Sequence, residues 1–112
     1  MNAPHRSTLV VAWALAACAA AAPALAQDAA ALNARSLAAT CAQCHGTDGR
    51  APPGSAVPGL AGAPAAYVTE QMLAFRNGTR PGSVMPQLAK GFSDAQIAQL
   101  AMYFSTQPGA RP

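Results

Sequence analysis

The sequence predicts a small all-α domain of three to five helices, and three observations carry that prediction. Apolar residues recur at helical spacing in stretches bounded by cap and stop signals. No stretch alternates apolar and polar residues as a half-buried strand would. Between the periodic stretches, residues 46–64 hold five glycines and four prolines, a density that forbids a long regular element. At 112 residues, with no internal repeat, the chain has room for one domain.

The first 26 residues read as an export signal rather than as part of that domain. His5 and Arg6 form a short basic start, Leu9 to Ala22 is an apolar run too short for a convincing membrane span, and Ala24-Leu25-Ala26 fits the small-x-small rule for cleavage. The domain is then 27–112, with Gln27 as its first residue. A second reading of the same end is open, because Leu15-Ala16-Ala17-Cys18 has the form of a lipobox, in which Cys18 becomes a lipidated first residue. A third is a retained, uncleaved N-terminal anchor. The first two carry the chain across the inner membrane of a bacterium to the periplasm, and membrane attachment is expected only if Cys18 is lipidated.

Asp28 to about Cys44 reads as the first helix. Asp28 is its candidate N-cap and alanine supplies its propensity, with Leu32 and Leu37 as its large apolar residues. The helix runs into Cys41-Ala42-Gln43-Cys44-His45. A C-x-x-C-H run is the attachment site of c-type haem: two thiols one turn apart add across the porphyrin vinyl groups, and the adjacent imidazole ligates the iron. Without residues 1–26, Cys41 and Cys44 are the whole cysteine supply and His45 the whole histidine supply, which excludes a bis-histidine haem. Zinc is the rival, but Cys41, Cys44 and His45 give only three ligands for a tetrahedron. A dithiol redox pair is the other rival, and an adjacent histidine in an oxidising compartment suits haem better.

The Gly/Pro segment after the motif is long enough to wrap one edge of a cofactor. A metal-ligating imidazole needs an acceptor for its other nitrogen, and the backbone carbonyl of Pro58, in Pro58-Gly59-Leu60, is the candidate. Ala65 to Asn77 returns to helical spacing, with Val68, Gln71, Met72 and Phe75 on one face and Gly78 as the stop. Thr79 to Lys90 reads as irregular, since Pro81, Gly82 and Pro86 interrupt any helix. Ser93-Asp94-Ala95-Gln96 is a capping box, and Ile97, Leu100, Ala101 and Phe104 make the apolar stripe of a last helix that ends at Gln107-Pro108-Gly109.

The sixth position of the iron decides between electron transfer and ligand chemistry. Met72, Met85, Met102 and Lys90 are the candidates. Met72 lies on a core-facing stripe, and Met102 is held by regular helix. Met85, in Val84-Met85-Pro86 forty residues after His45, stands where a Pro/Gly-bounded loop can present a thioether, and is the expected axial ligand. An open site, as in a haem enzyme or gas sensor, is the alternative; the lack of a second histidine for acid–base work on peroxide argues against it. Arg76, Arg80 and Lys90 are candidates for propionate pairing or docking, with ordinary solvated charge as the plainer reading. Tyr67 either donates a hydrogen bond near the haem or packs.

Seven basic and four acidic residues give a net charge of +3, which falls to +2 without Arg6. Neither a Lys/Arg stripe nor interleaved aromatics is present, so no nucleic-acid partner is expected. Alanine supplies much of the 52% hydrophobic content, which leaves a thin core. A domain this small needs a staple, and a covalently fixed apolar macrocycle is one.

Several strings together resemble the class I small bacterial cytochromes c over residues 30–106. They are Cys41-x-x-Cys44-His45 after a helix, Pro58-x-Leu60, Tyr67-Val68-x-x-Gln71-Met72-x-x-Phe75-Arg76-x-Gly78, Met85-Pro86 and the terminal Tyr103-Phe104. The resemblance implies crossed first and last helices and one haem in an α-helical shell with an exposed edge. Gln71-Met72-x-Ala74-Phe75-Arg76 and Val84-Met85-Pro86-Gln87-Leu88-Ala89-Lys90-Gly91-Phe92-Ser93-Asp94 look like the monohaem cytochrome subunit of flavocytochrome c sulfide dehydrogenase, and like half of the dihaem bacterial carriers. The first likeness implies a periplasmic, non-catalytic subunit that takes electrons from a flavoprotein dehydrogenase oxidising sulfide. This chain has no flavin fingerprint of its own, so catalysis would reside in the partner. A free monohaem carrier serving an oxidase or another dehydrogenase is the alternative.

Overall fold

The structure, a computed structural model, describes residues 27–109. The export segment and Cys18 lie outside the described residues. Among the described residues every regular element is helical, and no helix is long and apolar enough to cross a membrane. Contacts divide the chain into two units, Met1–Asn33 and Ala34–Pro112. Of the first, residues 27–33 are described, and they are helical.

Helix α1 occupies residues 27–39, with Asp28 inside it rather than capping it. It stops short of the motif, where the expected helix ran on to Cys44. Thr40 and Cys41 donate to Leu37 and Ala38 at 3.2 and 3.0 Å, the tighter spacing that closes a helix. The Thr40 hydroxyl takes the Leu37 carbonyl at 2.7 Å as well, so a local side chain competes for the acceptor that regular helix would use. The chain restarts as the short α2, Ala42–His45, and then a single 3-10 turn, Thr47–Gly49.

The Gly/Pro segment is irregular, as its composition requires. Its course is fixed by Gly49, whose carbonyl accepts from Leu60 at 2.7 Å and Ala61 at 3.1 Å. Gly49 has φ +77, and a Cβ there would lie under 3 Å from Ala61, Leu60 and Phe104, so only glycine fits. The Gly62 amide then donates to Phe104 at 2.9 Å, tying the loop to the last helix.

Helix α3, Ala65–Asn77, has the bounds its periodicity predicts and ends at Gly78 in the left-handed conformation. The stretch read as irregular contains one more helix, α4, Met85–Ala89. Pro86 falls in its first turn, where a missing N–H costs nothing, so this proline starts a helix rather than preventing one. Helix α5, Asp94–Thr106, opens on the expected capping box between Ser93 and Gln96.

Two clusters form the core, and α5 contributes to both. Ile97 and Ala101 pack with Val68 and Met72 of α3 and Ala89 of α4. Leu100 and Phe104 pack with Ala38 of α1, so the first helix meets the last at an alanine, whose small side chain permits close approach. Phe92 packs against both clusters. The stripe read from the sequence is the inward face of α5: Ile97, Leu100, Ala101 and Phe104 are all buried.

Candidate functional site

The break between α1 and α2 places the two thiols differently. Cys41, at the break, is half-buried and packs on the Ala38, Leu100 and Phe104 cluster, whereas Cys44 is exposed; both are free thiols. Burial pushes the Cys41 thiol above its ordinary pKa, and the Thr40 hydroxyl offsets this only in part. Among the described residues no three His, Cys, Asp or Glu side chains form a cluster that could hold a metal ion.

His45, the last residue of α2, is only 9% exposed. Its Nδ1 lies 2.7 Å from the carbonyl oxygen of Pro58. A carbonyl can only accept, so Nδ1 carries the proton and donates. In the neutral ring Nε2 then holds the lone pair, and it has no protein partner among the described residues. This is the arrangement of a metal-ligating imidazole whose far nitrogen is fixed by a backbone acceptor. The acceptor is held near Gly49, because the two amides bound by the Gly49 carbonyl, those of Leu60 and Ala61, lie two and three residues after Pro58.

A second tie holds the same turn. Asp48, with φ +55, accepts from the Tyr103 hydroxyl at 2.6 Å and from Arg50 at 3.2 Å, and Arg50 reaches on to the Pro108 carbonyl at 3.3 Å. The bond from Tyr103, helped by Arg50 against partial desolvation, holds the Asp48 carboxyl below the usual carboxylate range. The same bond pushes the Tyr103 hydroxyl up. The turn after His45 is thereby fastened to α5. Sequence reasoning missed this tie, since Asp48 and Tyr103 stand 55 residues apart and no local pattern links them.

Met85 begins α4, half-buried against the Val68, Met72, Ala89, Ile97 and Ala101 cluster. Of the other methionines, Met72 is 9% exposed within that core and Met102 is 59% exposed on the outside of α5. Lys90 and Tyr67 are exposed. Arg76 is engaged within the fold, at 2.6 Å from Asp94 and 3.3 Å from the Phe92 carbonyl. Arg80 lies over the Phe75 ring and donates to Gln71.

The donor chemistry fits a c-type haem: two free thiols separated by two residues, and next to them a buried imidazole with one nitrogen committed and the other available. The family profile described as "Cytochrome C oxidase, cbb3-type, subunit III" matches residues 23–104. The thiosulfate dehydrogenase electron acceptor of Thiomonas intermedia is 41% identical over 76 residues, 67% of this chain and 35% of that protein. Cytochrome c-554(548) of Halomonas halodenitrificans is 42% identical over 61% of this chain and 84% of its own length. The cytochrome subunit of sulfide dehydrogenase from Chlorobaculum tepidum is 38% identical, over 61% of this chain and 60% of that subunit. Among solved structures, cytochrome c4 of Acidithiobacillus ferrooxidans matches with a TM-score of 0.56 and 39% identity, over 59% of this chain and 37% of that one. The chain thus spans about a third of the first of these relatives and of the solved structure, but most of the Halomonas cytochrome. The helical fold, the haem-binding motif and this agreement across residues 23–104 have one meaning: the chain belongs to the cytochrome c family, as a small class I member with a covalently bound c-type haem.

Proposed function

We propose that this cytochrome is an exported electron-transfer protein in which His45 and Met85 ligate the iron and Cys41 and Cys44 hold the haem. Bound there, the haem supplies a one-electron couple between ferric and ferrous iron. The observation that carries the reading is the contrast among the methionines. Met72 is committed to the core, Met102 points out from α5, and Met85 alone is half-buried at the very start of a helix, where the preceding loop can adjust its approach. A thioether opposite His45 would fill the coordination sphere in both oxidation states and favour a raised potential. Pro58 fixes the imidazole ring through its carbonyl, and α5 keeps the turn behind it in place. Little then has to rearrange when an electron moves. Residues 27–112 form the exported domain after cleavage at Ala26; lipidation of Cys18 would instead tether it to the membrane.

The electron donor we propose is a flavoprotein dehydrogenase that oxidises sulfide, as the name of the Chlorobaculum relative suggests for that protein. The Thiomonas relative, 41% identical and named for thiosulfate dehydrogenase, favours as a second reading a carrier serving another sulfur-compound dehydrogenase.

Met85→Ala tests the ligand assignment. The ferric wild type is expected to be low-spin with a methionine-to-iron charge-transfer band that the variant lacks. A high-spin wild type that binds cyanide readily would overturn the assignment in favour of an open site. Purification from the native periplasm tests the donor: a co-purifying flavoprotein with sulfide-dependent reduction of this haem supports the first reading. Reduction driven by thiosulfate instead supports the second.

A further inference from the structure

The turn between α3 and α4 is built around one aromatic ring. Beyond Gly78 the chain doubles back, and the Arg80 amide and the Thr79 hydroxyl donate to the Ala74 carbonyl at 3.1 and 3.3 Å. This folds Arg80 over the helix it has just left. Its guanidinium carbon lies 4.5 Å from the centroid of the Phe75 ring, and its Nη1 donates to Gln71 Oε1. Two residues later the backbone passes the same ring closely enough that an added methyl would require the ring to shift by a few tenths of an ångström. A Cβ at Gly82 would lie 3.2 Å from Phe75 Cε1 and 3.2 Å from Pro86 Cδ. Gly82 therefore sits wedged between the phenyl ring of α3 and the pyrrolidine ring of α4, and Pro86 is the residue directly after Met85.

We infer that Phe75, held flat by Arg80 and Gln71, is a positioning residue that sets where α4 begins and so where the Met85 thioether is presented. This inference rests on the reading of Met85 as the axial ligand. A neutral thioether is a weak ligand, so how firmly it holds the iron depends on how well the fold presents it. The backbone hydrogen bonds of α4 start only at Gln87 and Leu88, which donate to Val84. Upstream of them the segment is located by packing, of Met85 on the Val68, Met72, Ala89, Ile97 and Ala101 cluster and of Gly82 between Phe75 and Pro86. A rigid ring does this better than an aliphatic chain, and a guanidinium over its face, itself fixed by Gln71, restrains the ring through cation–π attraction.

The test uses the ferric holoprotein and two readouts: the charge-transfer band, and the imidazole concentration that half-displaces the methionine. Phe75→Leu and Gly82→Ala are expected to weaken the band and lower that concentration about tenfold. Arg80→Lys, which keeps the cation but loses the planar stack, is expected to fall between them and the wild type. Ser93→Ala, which uncaps α5 and lies in neither core cluster, is expected to lower thermal stability while leaving both readouts unchanged. Gly82→Ala adds one methyl at an exposed position, so the test survives if Phe75→Leu does not fold. Wild-type behaviour in Phe75→Leu and Gly82→Ala, with the band lost in Met85→Ala, would overturn the positioning role alone. An equal shift in Ser93→Ala would also overturn it, because general loosening would then explain the effect. A band that survives Met85→Ala would remove the ligand assignment itself.

Discussion

Adding one methyl group at residue 49 should cost far more than adding it at residue 54, although both glycines have φ +77. At Gly54 nothing lies within 4 Å of the new Cβ, so alanine there meets only the backbone penalty of the left-handed region. That penalty is about 1–2 kcal/mol. The reduced entropy of the unfolded chain offsets about 0.4–1 kcal/mol of it. At Gly49 the same methyl would also lie 2.8 Å from the Ala61 nitrogen, 2.9 Å from Leu60 Cβ and 2.9 Å from Phe104 Cδ1. Phe104 is 2% exposed and cannot swing aside, and the two amides bound by the Gly49 carbonyl must be pushed off their acceptor. Overpacking of this kind adds about 1–3 kcal/mol. In a domain of this size each kcal/mol moves Tm by about 4–8 °C, so Gly49→Ala should melt about 4–24 °C below Gly54→Ala. Thermal unfolding of the two holoproteins, followed by circular dichroism, measures the difference. Gly49→Ala should also change the reduction potential, because the displaced amides follow the Pro58 carbonyl that fixes His45. Equal melting temperatures would refute the claim that the loop is packed as tightly against α5 as its geometry states.

Four further outcomes follow from other features of the fold. The Asp48 carboxyl titrates below its ordinary value when folded, so its contribution is full above about pH 4 and disappears as pH falls through the lower folded value. Tyr103→Phe should therefore flatten the acid limb of a plot of Tm against pH, and an unchanged limb would show that the bond does not couple to folding. Tyr103 works the other way: its raised hydroxyl stabilises below about pH 10, and that stability is lost as pH climbs through the folded value. Ser93→Ala removes the hydroxyl that caps α5 and should cost about 1 kcal/mol in denaturant melts. A Cys41→Ser, Cys44→Ser protein made without haem should be largely unfolded, since the described core is two small clusters; native-like circular dichroism would contradict this.

How much of the fold was legible in the sequence depended on how local the determining interaction was. The bounds of α3 and the capping box and buried stripe of α5 follow from contacts between residues three or four apart, which periodicity and cap chemistry report directly. The all-α class followed from the same signals. Two local readings erred because a nearby residue has two uses. Thr40 can continue a helix or take the carbonyl that would extend it, and here it takes the carbonyl, ending α1 before Cys41. Pro86 can break a helix or begin one, and here it begins α4.

The sequence by itself determined the chemistry of the centre. Spacing alone puts Cys41, Cys44 and His45 within five consecutive residues, two thiols one turn apart with the imidazole adjoining, which is the set a c-type haem needs. The tertiary structure decided what holds that centre in place. Asp48 meets Tyr103 across 55 residues, and Phe75, Gly82 and Pro86 lock together only once α3 and α4 have packed. Those contacts depend on where separate helices come to lie, and that is set by burying the inward stripe of α5 in two clusters at once, a property of the whole chain that no short window contains.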